Sequence, residues 1–221
     1  MSMSLLATIQ NAINIGAGLG ASVIGQSCAQ YRCTVFDSPI TATYQVGTLF
    51  AAFDTRPTLT FIESSKPLLD VFYGYFNLTN VQSGDYLVGP QGTFFVSNIE
   101  PLKQPVCIQC PHTVSLSSAG SLRKGTNPMR EFNGLQDAML APLIPASILP
   151  DRPRGMPLTG LPDDILARST FKGLISPAFG NGASGAISAG DTMTDEGGLS
   201  YQVEEALWHP SAWQLRLELL G

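Results

Sequence analysis

The 221-residue chain has 44% hydrophobic residues, a net charge of −5 and only 13% charged residues, against roughly 25% in ordinary soluble proteins. That apolar content excludes a disordered chain, and 22 glycines with 16 prolines exclude a long-helix protein. Twelve Lys and Arg against seventeen Asp and Glu argue against a nucleic-acid-binding surface.

The first 30 residues read as an uncharged N-terminal helix or arm. Leu5, Leu6, Ile9, Ala12 and Ile13 recur at helical spacing over residues 3–15, and the alternating Gly16, Gly18 and Gly20 should weaken the helix beyond. No charge precedes Arg32, and Gln10, Asn11 and Asn14 break up the apolar residues, so neither a signal peptide nor a membrane-spanning segment is expected. Residues 31–118 read as a small β-barrel or sandwich domain. Its expected strands are Tyr31–Phe36, Tyr44–Phe53, Asp70–Phe76, Gly84–Val88, Thr93–Ser97, Val106–Cys110 and Thr113–Leu116. Gly89-Pro90-Gln91-Gly92 between two β runs predicts a hairpin. Residues 119–186 read as a Pro/Gly-rich extended connection, because seven prolines fall between Gly125 and Ile165; a short helix around Asn133–Leu140 is the one regular element expected. Its Leu140, Leu143, Ile144, Ile148 and Leu149 are expected to bury against other chains. Residues 187–221 read as a C-terminal β-meander, in which Trp213, Leu215, Leu217 and Leu219 alternate with Gln214, Arg216 and Glu218. The fold class expected is therefore mainly β, with a short N-terminal helix, a barrel or sandwich, a Pro-rich arm and a closing meander.

Charge is uneven along the chain. From Asp191 onward six carboxylates face the single base Arg216, which gives −5, and residues 1–190 balance. A solvated monomer spreads charge over its surface, so contacts with other chains are expected to cover much of this one.

The candidate chemistry is thin. Cys28, Cys33, Cys107 and Cys110 have spacings that a four-thiolate zinc site could use, but buried thiols are the expectation, and no metal is. Gly16-Ala17-Gly18-Leu19-Gly20-Ala21 with Asp37 fits a dinucleotide fingerprint, in which glycines admit a pyrophosphate and the acid holds a ribose. An NAD- or FAD-dependent oxidoreductase is thus the alternative reading, opposed by the absence of further βαβ patterning. Asp54-Thr55 and Asp191-Thr192 lack the following glycine of an aspartic-protease pair and read as turn aspartates. Cys110 and His112 would share a strand face without an orienting partner. Gly182-Ala183-Ser184-Gly185 has the wrong spacing for a nucleophile elbow. Asn77-Leu78-Thr79 matches a glycosylation sequon, which without a secretory signal carries no weight. No catalytic, cofactor-binding or metal-binding residue is assigned.

Three stretches together resemble a group of bacteriophage and prophage virion proteins. They are Gly84-Asp85-Tyr86-Leu87-Val88, Gly92-Thr93-Phe94-Phe95-Val96, and Glu100-Pro101-Leu102 through Pro105-Val106-Cys107-Ile108-Gln109-Cys110 to Thr113-Val114-Ser115-Leu116. The Gly- and Ala-rich start leading to Tyr31-Arg32 is also similar, although Cys33 stands where those proteins carry proline. The end, from Tyr201-Gln202-Val203 to Trp213-Gln214-Leu215, resembles the closing meander of small neck and tail proteins. The resemblance implies a non-catalytic virion subunit forming a homo-oligomeric ring in the neck or tail, in contact with other virion proteins and assembled in the bacterial cytoplasm. It leaves residues 119–186 uncovered. An acidic C-terminal wall would let DNA pass through such a ring without sticking.

Overall fold

The computed structural model describes residues 5–35, 37–55, 71–118, 138–151, 170–182 and 187–220. Among these residues a helix, α1 (Leu5–Ile24), leads into twelve strands. The first six are β1 (Gln26–Tyr31), β2 (Gln45–Asp54), β3 (Val71–Tyr75), β4 (Tyr86–Gly89), β5 (Gly92–Asn98) and β6 (Val106–Gln109). They form a closed antiparallel barrel in the order β1-β2-β3-β6-β5-β4, with β4 returning to β1. The second six are β7 (His112–Ser118), β8 (Ala138–Pro150), β9 (Thr170–Ile175), β10 (Thr192–Asp195), β11 (Ser200–His209) and β12 (Ala212–Leu219). They close a second antiparallel barrel in the order β10-β11-β12-β9-β8-β7. Closure pairs every strand on both flanks and removes the free edges on which other chains would pair.

Phenylalanine fills the first barrel. Phe53 stacks on Phe94 with ring centroids 3.8 Å apart, and Phe72 meets Phe94 edge-on at 5.3 Å. Cys28, Leu87, Val96 and Cys107 complete this interior. The second barrel is filled by aliphatic side chains around Trp213, whose indole N–H donates to the Phe179 carbonyl at 3.0 Å. Trp213, Leu215 and Leu217 are buried at the alternate positions of β12, and Leu219 is half-buried at its end. The β10-β11-β12 meander is thus built on the expected alternation.

The barrels share a third cluster. Tyr86, Phe95 and Ile108 point out of the first barrel, since their neighbours Leu87, Phe94 and Cys107 point in. They pack on Leu174 and Ala212 of the second. Both faces of β4, β5 and β6 are therefore buried, which is why Tyr-Leu-Val, Phe-Phe-Val and Val-Cys-Ile run apolar without alternating. Ser97 and Ser176 donate across the seam to the carbonyls of Ser211 and Gly84, each at 2.8 Å. Gly84 has φ +94°, and a Cβ there would sit 2.4 Å from Ala178 Cβ, so the close approach requires glycine.

Several expectations change. The helix runs through Gly16, Gly18 and Gly20 to Ile24 instead of failing after residue 15. Its first strand begins at Gln26, inside the expected N-terminal arm, and Arg32–Val35 is irregular where a strand was expected. The 31–118 domain loses its last strand, because β7 closes the second barrel and not the first. The 119–186 connection is no mere arm: it supplies β8 and β9, two strands of the second barrel. β8 accommodates Pro142, Pro145 and Pro150 because its first part pairs with β7 and only Ala146–Pro150 pairs with β9. A bulge opposite Ser115 takes up Pro142 and Leu143, the latter at φ 53°. Ile144 and Ile148 are buried in this subunit's own core, not against another chain, and Leu143 is exposed. Leu140 packs against the same core. Residues 138–140 are strand, and the rest of the helix expected at 133–140 lies outside the described residues.

Candidate interaction surface

The motif residues meet at the mouth of the first barrel. Asp85, 1% exposed, receives Arg32 in a fork, Nε to Oδ1 at 2.7 Å and Nη2 to Oδ2 at 2.7 Å. Gln30 Nε2 at 2.7 Å and the Gln82 amide at 2.8 Å also donate to Oδ2. Arg32 and Gln30 both reach on to the Asn80 carbonyl. The carboxylate is thus paired and hydrogen-bonded, as a buried charge must be. The hydrogen bond to Asp85 raises the Arg32 pKa further, so the cation is permanent. Tyr31-Arg32 and Gly84-Asp85, 53 residues apart, therefore form a structural clamp between β1 and the turn before β4.

The remaining candidates are used by the fold or kept apart. All four cysteines are buried thiols outside any disulfide. Cys28 and Cys107 face the first barrel's interior, whereas Cys110 lies in the seam between barrels. Burial pushes the Cys28 and Cys107 thiols up, and burial also raises Cys33 against the bond from its sulfur to Val35. Among the described residues no group of three or more His, Cys, Asp or Glu side chains could hold a metal ion. His112 turns from Cys110 to Glu196, with Nδ1 3.1 Å from Oε1, and the Thr113 amide donates to the same carboxylate at 2.7 Å. Asp37 accepts from the Ser38 amide and from the Tyr44 hydroxyl at 2.8 Å; that bond pushes the Tyr44 pKa up to about 12. Gly16, Gly18 and Gly20 lie inside α1 and not in a loop ahead of a helix, and a Cβ on Gly18 would come 3.0 Å from Asn77 Cβ. Asp54 and Asp191 belong to different barrels; Asp191 is buried and receives the Ser188 amide in a turn. Asn77 caps its own Asx turn by accepting from Thr79. The Gly182–Gly185 stretch lies beyond the described residues after its first glycine.

Among the described residues, one face of α1 is left without a packing partner. The helix lies along β2 and β3. Toward the barrel it turns Ala21, fully buried, with Ala17, Gly18 and the larger Ile13 half-buried, and Gln10 accepts from the Leu102 amide at 2.7 Å. Gly25 ends it against β2, where a Cβ would fall 2.7 Å from the Ala51 carbonyl oxygen. Leu5, Ile9, Leu19 and Val23 point the other way. Leu5 is 77% exposed, Ile9 42%, Leu19 65% and Val23 82%. A surface helix ordinarily buries its larger apolar residues, so this one is inverted. No charged residue lies anywhere on it. A groove flanks it on each side, about 650 Å³ between Ile24 and Phe53 and about 420 Å³ between Leu19 and Phe50. No helix among the described residues is long and apolar enough to cross a membrane.

The helical spacing of Leu5, Leu6, Ile9, Ala12 and Ile13 marks the start of the helix but neither its exposed face nor Leu19 and Val23. Their signal was the same spacing carried on past the glycines. Compared with known protein families, curated proteins and solved structures, the chain matches none of them.

Proposed function

We propose that the chain is a non-catalytic structural subunit of a tailed-bacteriophage virion, building a homo-oligomeric ring in the neck or tail. The observation that carries this reading is the uncharged α1 with Leu5, Ile9, Leu19 and Val23 turned outward, a surface that a lone monomer rarely keeps. The resemblance to virion proteins supports it from a second side. The residues of that resemblance, Arg32, Asp85, Tyr86, Phe95 and Ile108, are spent on clamping and joining barrels, as a structural part requires. Other neck or tail proteins are then its further partners. The exposed Glu204 and Glu205 would suit a wall that DNA passes, although Arg216 pairs with Glu204 at 2.9 Å and reduces that charge.

The deciding measurement is the mass and shape of the purified particle by light scattering and negative-stain microscopy, with peptide identification in purified virions. A ring whose mass is a multiple of six or twelve subunits supports the reading. A monomer, or a small oligomer carrying flavin absorbance or bound nicotinamide, overturns it.

A further inference from the structure

The outward face of α1 has a regular spacing. Leu5, Ile9, Ala12, Gly16, Leu19 and Val23 follow one another at intervals of four, three, four, three and four residues, and all six are exposed. That is the 3.5-residue repeat of a seam between helices, running along the side opposite buried Ala21. Ile15 and Ile24 stand exposed on its opposite flanks, about two and a half helical turns apart.

We propose that this seam is covered by α1 of neighbouring copies of the chain, the helices gathered parallel and in register about the ring axis. The proposal rests on the ring reading and names the surface that would make the ring. Three features select a second copy. The repeat is what a partner helix with the same repeat accepts, and the chain carries one such helix among its described elements. The face has no charge, so identical copies meet without repulsion and without desolvating an ion, whereas the −5 of residues 191–221 opposes contact through the C-terminal strands. Ala12 and Gly16 at mid-seam let two helix backbones approach closely, while Leu5, Ile9, Leu19 and Val23 supply the knobs on either side. Rotation about a ring axis sets equal residues at equal height, so the arrangement must be parallel, with Leu19 beside Leu19. An antiparallel pair would set Leu19 beside Ile9.

The test uses the full chain. Leu19→Lys should lower the mass seen by sedimentation or light scattering toward the 23.5 kDa monomer, with an unchanged far-UV spectrum. Leu19→Cys should form a covalent dimer on mild oxidation, because the native thiols are buried, whereas Asn11→Cys on the flank should not. A wild-type chain that stays monomeric at tens of micromolar overturns both the seam and the ring. An oligomer that survives Leu19→Lys, without a Leu19→Cys cross-link, overturns the seam and leaves the ring standing. Cross-linking only in a mixture of Ile9→Cys and Leu19→Cys chains overturns the parallel arrangement.

Discussion

Asp85 is the residue on which the first barrel's local order turns. Its carboxylate is almost fully enclosed, so its pairing with Arg32 and Gln30 compensates a charge that water cannot reach. Arg32→Met should therefore destabilise by about 3 kcal/mol, the low end for a broken buried pair, because the Arg32 side chain is itself partly exposed. Arg32→Lys should recover part of that loss, since it keeps the charge but not the fork. The urea midpoints of the two variants check this ordering; equal midpoints would show that the fork contributes nothing. Glu196 makes a smaller, pH-dependent contribution. Partial burial raises its carboxyl pKa, but bonds from its own amide, the Thr113 amide and His112 outweigh that and leave it lowered. A pKa lower in the folded than in the unfolded state means stability present at neutral pH and lost as pH falls through the folded value, from about pH 5 downward. Glu196→Gln should flatten the change in urea midpoint over that window. An identical pH profile for variant and parent would rule the contribution out.

At the scale of elements, β12 and α1 make opposite lessons. The alternation of β12 is set by the pleat, so a one-residue slip would expose Trp213, Leu215 and Leu217 together. Leu217, fully buried, should cost about 2–5 kcal/mol when cut to alanine. Leu217→Asp should abolish folding, seen as loss of the β-rich far-UV signal, because it drives an unpaired carboxylate into the core. α1 survives three mid-helix glycines, each of which weakens an isolated helix by about 1 kcal/mol. It does so because Ala21, Ile13 and Ala17 pack on the barrel and Gln10 is tied to Leu102. β8 likewise survives its prolines because the strand changes neighbours at Ala146 and bulges at Leu143. Propensity alone speaks against both elements, and only their neighbours overrule it.

For the whole molecule, the seam between barrels decides whether there are two folding units or one. Tyr86, Phe95 and Ile108 are as buried as the barrel interiors, and Tyr86 also donates to the Pro145 carbonyl at 3.3 Å. The two barrels are therefore expected to unfold in a single cooperative transition by calorimetry. Phe95→Ala should cost about 3–5 kcal/mol and split that transition into two. A wild-type chain already melting in two steps would contradict the coupling. The mainly β character, the Gly89–Gly92 hairpin and the buried side of β12 were determined by the sequence alone, because alternation, turn residues and aromatic density are local signals. Which barrel owns β7 was not, since Thr113–Leu116 follows β6 so closely that chain order suggests one domain. Nor was the clamp of Arg32 on Asp85, which joins residues whose separation in the chain carries no pairing signal. The direction in which α1 turns its larger residues was equally hidden. Periodicity defines two faces of a helix, and only packing on the first barrel, which buries Ala21 and leaves Leu19 exposed, decides which of them is buried.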